Sequence, residues 1–184
     1  MRLFSAIEID PRVREDLVGI QKRLSPVAGV RWSPAQNLHL TLRFYGEWPN
    51  ERLPELAASL DGLDQTLSVR VDLQKLGFLP NEREPRALVA LVAPSNALSA
   101  LQDELEAAAQ DLEFKREPRT YRPHITLARI REPGQARRLV ETARSQNWSL
   151  PEFEAHRFAL YASETTTAGS IYRKLREFPL RRVA

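Results

Sequence analysis

The sequence contains no cysteine. Disulfides and thiolate-held metals are therefore excluded, and a reducing, cytoplasmic location is expected. No apolar run approaches the roughly 20 residues that cross a bilayer, so no membrane partner is expected. The first ten residues do not read as a signal peptide, because Glu8 and Asp10 interrupt the apolar run early. Lysine is scarce, four residues against 23 arginines. Arginine suits bidentate phosphate contacts, but a GC-rich genome produces the same bias, so composition alone assigns no partner. The net charge of +3 tolerates an anionic partner without demanding one. It is too small for strong nonspecific nucleic-acid binding. Metal-ligand patterns such as H-x-H and H-E-x-x-H are absent.

Histidine is also rare, with only three in 184 residues. Two of them open the same H-x-T-L pattern, His39-Leu40-Thr41-Leu42 and His124-Ile125-Thr126-Leu127. Around each, polar and apolar residues alternate as in a half-buried strand. A strand sends residues i and i+2 to one face, roughly 7 Å apart. His39 and Thr41 should therefore point together to a polar side while Leu40 and Leu42 enter a core, and His124 and Thr126 should do the same. One H-x-T is a weak motif; a pair sharing the following leucine is specific.

The rest of the chain reads as strands and helices in a repeating order. A strand at Leu3–Ile9 precedes a helix from Pro11 to about Leu24, capped by Asp10. Val30-Arg31-Trp32 leads in to the first motif strand, which spans about 37 to 44; a helix follows at about 51 to 61 and a strand at about 67 to 79. The order then restarts, with a strand at Ala87–Ala93, a helix capped by Ser95, and the second motif strand at about 122 to 130. A helix follows from Gln135 to about Ser145, then a strand at Phe153–Ala162. A last strand covers Ser170–Pro179 after a polar turn, Glu164–Gly169, read as a mobile loop without chemistry. Superposed, the halves keep an offset of about 84 to 86 residues. This is an internal repeat, about 2–79 and 86–162, within one domain covering 1–184. The expected fold is α+β: a duplicated, bilobal, pseudo-two-fold unit. Two antiparallel sheets would line a central cleft, with helices packed outside and the motif strands facing each other.

A pseudo-two-fold places two imidazoles on opposite sides of one point, with two hydroxyls beside them. In-line displacement at phosphorus uses that layout, a general base on one side and a general acid on the other. Histidine, with an unperturbed pKa near 6.5, can do either near neutrality. Threonine hydroxyls can donate to the non-bridging oxygens. The rival zinc reading needs a third ligand. His156 is the only spare histidine, aligns with Val71 outside the repeat, and reads as structural. No metal or cofactor is expected.

The chain thus resembles the 2H phosphoesterase superfamily, and within it the bacterial and archaeal RNA 2′,3′-cyclic phosphodiesterases, long called 2′-5′ RNA ligases. The resemblance rests on Arg2-Leu3-Phe4-Ser5-Ala6-Ile7, on His39-Leu40-Thr41-Leu42-Arg43-Phe44-Tyr45-Gly46, on Arg122-Pro123-His124-Ile125-Thr126-Leu127-Ala128-Arg129, and on Leu160-Tyr161-Ala162-Ser163 with Gly169 and Tyr172. It implies metal-independent hydrolysis of RNA 2′,3′-cyclic phosphate ends to a 2′-phosphate, with minor reverse 2′-5′ ligation. It implies His124 as general base and His39 as general acid, with Thr41 and Thr126 on the phosphate oxygens. Arg129 is implied as a phosphate or RNA contact, although a regular strand turns it away from His124, so it reaches the cleft only through a bulge or twist or binds from the flank. Arg43 shares parity with His39 and is expected to line the cleft. Phe4 offers a ring that could stack on a base or fill the core. The expected partner is RNA with a cyclic-phosphate end, met by a monomer. The alternatives are a phosphodiesterase of small cyclic nucleotides and a nucleic-acid-binding module.

Overall fold

A computed structural model describes residues 1–25, 30–63, 68–118, 120–132, 134, 136–167 and 169–181. The chain runs β1 (Arg2–Glu8), α1 (Pro11–Leu24), β2 (Val30–Trp32), β3 (His39–Glu47), α2 (Leu53–Asp61) and β4 (Val69–Leu79). It continues with β5 (Ala87–Val92), α3 (Asn96–Gln110), β6 (His124–Ile130), α4 (Arg137–Ser145), β7 (Glu152–Ala155), β8 (Arg157–Thr165) and β9 (Ser170–Pro179). The expected starts at Leu67 and Gln135 fall outside the described residues.

Local signals explain the helices. Asp10 Oδ1 accepts a hydrogen bond from Arg12 N at 2.9 Å, and Pro11 opens α1 without an orphan N–H. Ser95 Oγ accepts from Leu98 N at 3.2 Å. Val13, Leu17, Ile20 and Leu24 recur along α1 and are buried. They join a continuous core with Leu40, Leu42, Leu88, Leu105, Ile125 and Leu127. Burying each such side chain is worth about 1.5–3 kcal/mol.

All strand pairs are antiparallel. The order β7-β4-β5-β6-β3-β1-β8-β9 divides into two four-stranded units, joined between the motif strands at Leu40↔Ile125. The repeat units exchange their third strands. β4 of the first half pairs with β5 of the second, and β8 of the second pairs with β1 of the first. The helices cross as well: α1 reaches β6 through Gln21, and α3 reaches β3 through Glu106.

Two expectations need correction. The run Phe153–Ala162 is not one strand. It breaks at exposed His156, because β7 pairs with β4 in one unit while β8 must leave for β1 in the other. Val30–Trp32 is not a lead-in to the first motif strand but a separate strand paired with β6.

Candidate active site

The bridging pair Leu40↔Ile125 sets the site. Continued antiparallel, that register puts His39 opposite Thr126 and His124 opposite Thr41. The histidines are then diagonal neighbours, about 7–8 Å apart in a regular ladder. All four residues line one cleft of about 190 Å³.

Each ring is held the same way. His39 Nδ1 lies 2.7 Å from Asn37 O, and His124 Nδ1 lies 2.6 Å from Arg122 O. A carbonyl only accepts, so Nδ1 carries the proton in both rings and each Nε2 is left for the cleft. Asn37 is itself fixed, its Nδ2 donating to Ser170 O at 2.8 Å. Tyr121 donates its hydroxyl proton to Thr41 O at 2.9 Å.

Burial pushes the His39 pKa down to about 4; the Asn37 carbonyl opposes this, while the charges of His124 and Arg129 add to it. His124 is also lowered, first by burial, with its carbonyl partner opposing and Arg129 and Arg122 contributing. Both rings are therefore neutral at pH 7 in the free protein. His39 rests on aromatic neighbours, with ring centroids 5.0 Å from Phe4 and 5.2 Å from Tyr172.

Both motif strands carry a β-bulge at the same repeat position. In β3 the register passes from Ser5↔Arg43 to Ala6↔Thr41, skipping Leu42. In β6 it passes from Leu88↔Ala128 to Val89↔Thr126, skipping Leu127. Two consecutive residues are buried at each bulge, Leu42 with Arg43 and Leu127 with Ala128. Alternation therefore slips by one, and the next residue in each strand, Phe44 or Arg129, faces the cleft.

The two bulges decide where Arg129 and Arg43 point. Arg129 enters the cleft beside His124, as its implied role requires. Arg43 does not; the expectation that it lines the cleft is corrected. It is 4% exposed and forms a bidentate pair with Glu106, Nε to Oε2 at 2.7 Å and Nη2 to Oε1 at 3.2 Å. It also donates to Phe44 O and Lys115 O, both at 3.1 Å. Burial alone would raise the Glu106 pKa, but hydrogen bonds and charge from Arg43, with donors from Gln110 and the Glu117 amide, hold it below the usual carboxylate value. The β6 bulge is pinned differently, Leu127 O accepting from Gln21 Nε2 at 2.8 Å and from Ser33 N at 2.9 Å. Gln21 and Glu106 are themselves repeat mates, 85 positions apart.

Phe4 also needs correction. At 2% exposed it has no face to offer a base. β1 is an inner strand between β3 and β8, and Phe4 is covered by His39, Phe44, Tyr161 and Tyr172. It is a floor under His39. The aromatic that does face outward is Phe44, 64% exposed on the cleft wall. Sequence reasoning passed over Phe44, yet it is the repeat mate of Arg129.

Arg31, Trp32, Ser33 and Ser170, not singled out in the sequence, complete the wall with Tyr172. Among the described residues, no carboxylate lines this cleft, although the chain carries 24. No group of three potential metal ligands occurs among the described residues. The described lining is thus cationic and polar, with the two imidazoles at its centre. No helix among the described residues is long and apolar enough to cross a membrane.

Comparison with known proteins shows the family. The family profile described as LigT like Phosphoesterase matches twice, at residues 7–89 and 91–172. The chain is 35% identical to the RNA 2′,3′-cyclic phosphodiesterase of Thermus thermophilus, over 98% of this chain and 91% of that protein. It is 30% identical to the protein of the same name from Methanocaldococcus jannaschii, over 97% and 100% of the two chains. Among solved structures, a Thermus thermophilus protein superposes with a TM-score of 0.82 at 31% identity, covering 99% of each chain. Escherichia coli LigT complexed with 3′-AMP does so with a TM-score of 0.76 at 27% identity, covering 97% of each. The chain belongs to the LigT-like phosphoesterase family.

Proposed function

We propose that this protein hydrolyses the 2′,3′-cyclic phosphate at the end of an RNA to a 2′-phosphate, with no metal in the reaction. The observation that carries the reading is the pair of imidazoles, each fixed through Nδ1 by a backbone carbonyl, lining one cleft with Arg129 and with no carboxylate among its described lining residues. The names of relatives at 30–35% identity over nearly the whole chain point the same way.

In the proposed step, water attacks phosphorus and His124 Nε2 takes its proton. The P–O3′ bond breaks as His39, entering the step protonated, gives its proton to O3′. Thr41 and Thr126 donate to the non-bridging oxygens, and Arg129 offsets their charge. The exposed face of Phe44 is placed to stack on the terminal base. With a 5′-hydroxyl in place of water as the nucleophile, the same step forms a 2′-5′ link. Water is in great excess, so hydrolysis dominates. The reading treats 1–184 as one cytoplasmic, monomeric domain.

The test is incubation of an oligonucleotide bearing a 2′,3′-cyclic end with the protein in EDTA, with products identified by phosphorus NMR. A 2′-monophosphate is expected. Activity abolished by the chelator and restored by zinc would overturn the proposal, and a 3′-monophosphate would make O2′ the leaving group.

A further inference from the structure

Resting on that reading, we infer that Asn37 is a positioning residue, whose side chain ties the carbonyl that orients the His39 imidazole to the first residue of β9. Three observations carry it. Asn37 ends a single 3-10 turn, Ala35–Asn37, in which the Pro34 and Ala35 carbonyls accept from the amides of Asn37 and Leu38 at 2.8 and 3.2 Å. Asn37 O accepts the His39 Nδ1 proton across 2.7 Å. One short turn is a weak anchor for that oxygen. Asn37 Nδ2 supplies a second anchor by donating to Ser170 O at 2.8 Å. Ser170 opens β9 directly after the turn that Thr166 closes, its N and Oγ1 both donating to Gly169 O at 2.7 Å. Two residues on, Tyr172 meets the same imidazole edge to face, with ring centroids 5.2 Å apart. The start of β9 thus holds His39 from two sides.

The second observation is the contrast between the copies. Asn37 and Arg122 are repeat mates, 85 positions apart. Arg122 O holds His124 Nδ1 in the same way at 2.6 Å, but Arg122 is exposed and Pro123 follows it. Proline fixes its own φ and keeps the residue before it extended, and Pro123 O accepts from Val92 N at 3.0 Å. Backbone alone therefore sets the base, whereas a side chain sets the acid. The third observation is electrostatic. In the free protein the Asn37 carbonyl favours the protonated His39 ring, against burial and the charges of His124 and Arg129. A carbonyl that drifts gives up that support for the imidazolium that proton delivery to O3′ requires. Asn37 also lines the cleft, so direct contact with substrate is the rival role.

The experiment measures Asn37→Ala and Asn37→Leu beside wild type and His39→Ala, on cytidine 2′,3′-cyclic phosphate and on its analogue with sulfur in place of O3′. A thiolate leaves without a proton, so the analogue bypasses the acid. On the oxygen substrate both Asn37 variants should lose about 10- to 100-fold in kcat, the cost of misplacing a catalytic group by roughly an ångström, with KM within about threefold of wild type. On the sulfur substrate their kcat should return to within about threefold of wild type, which also shows that the site is folded. Adding Asn37→Ala to His39→Ala should cost less than about twofold more, because both act through one proton. Equal loss on the two substrates would overturn the inference, as would no loss, a rise in KM alone, or additive losses in the double variant. A measurement without turnover judges the geometry by itself. Nitrogen-15 NMR should show His39 of wild type in one tautomer, protonated at Nδ1, and His39 of both variants in a mixture. A variant that keeps the single tautomer refutes the positioning role. The proposed function falls instead if wild type turns over neither substrate, and the NMR result alone then decides the tether.

Discussion

Replacing Arg43 separates the two roles that sequence and structure assign to it. A cleft-lining arginine that binds RNA would, on becoming methionine, raise KM at unchanged stability. The structure calls for the reverse. The Arg43 and Glu106 side chains are 2% and 10% exposed, and Arg43 makes four hydrogen bonds to Glu106, Phe44 O and Lys115 O. Removing one member of a buried pair strands the other, at a cost of about 3–5 kcal/mol. At about 2–4 °C per kcal/mol for a chain of this size, Arg43→Met should lower Tm by about 6–20 °C, and so should Glu106→Ala. The double variant Arg43→Met with Glu106→Leu leaves no stranded charge, so its loss should be well below the sum of the two. Below their melting temperatures all three should keep KM within about threefold of wild type. The assay is calorimetric or fluorescence melting beside steady-state kinetics on one cyclic-phosphate substrate. A Tm within 2 °C of wild type for Arg43→Met together with a tenfold rise in KM would refute the reasoning.

Three further outcomes are expected. His39→Ala and His124→Ala should each lower kcat by about 10²–10⁴-fold. A substrate with sulfur in place of O3′, which leaves without protonation, should recover most of the rate of the variant lacking the acid and little of the other; rescue of His124→Ala in place of His39→Ala would reverse the proposed roles. Second, kcat/KM should peak below pH 6.5. The bell is centred midway between the two free-enzyme values, and both histidines lie below the ordinary 6.5, His39 at about 4; a peak above pH 7 is the contrary result. Third, His39 should make the fold acid-labile. The unfolded imidazole holds a proton up to about pH 6.5 and the folded one only below about 4, so the unfolded state binds more protons in that window. Stability should fall by about 3 kcal/mol as pH drops from 6.5 to 4, and His39→Asn should flatten that slope in denaturant titrations.

What the sequence disclosed was local or periodic. Asp10-Pro11 and Ser95 announce their helices because capping is settled within three residues. The repeat is visible because both copies keep the same spacing of apolar faces. What it hid depends on distant partners. Nothing in Glu152-Phe153-Glu154-Ala155-His156-Arg157-Phe158 marks a break; the strand divides there only because β4 and β1 lie in different units. The β6 bulge left a trace in the adjacent apolar pair Leu127-Ala128, which interrupts strict alternation. The β3 bulge left none, since Arg43 and Phe44 continue the alternation of charged and apolar types while exchanging their faces. Carrying Arg129 back through the 85-residue offset to Phe44 was the available signal.

The repeat explains why two imidazoles converge, but a symmetric pair cannot tell an entering oxygen from a leaving one. Direction has to come from positions where the copies diverged. Phe44 stands against Arg129 on the cleft wall, and Arg43 against Ala128 behind it. The aromatic bed of Phe4 and Tyr172 lies under His39. The more deeply buried ring becomes the stronger acid once protonated, which suits proton delivery to a poor leaving group such as O3′. His124 packs on no aromatic ring among the described residues and is less enclosed, which suits it to take a proton from water. A bound phosphate brings negative charge to both rings and raises both pKa values, so His39 takes up from solvent the proton it lacks in the free protein. In the proposed step, substrate binding and acid activation are then one electrostatic event, and the residues that break the two-fold are the ones that would give the reaction its direction.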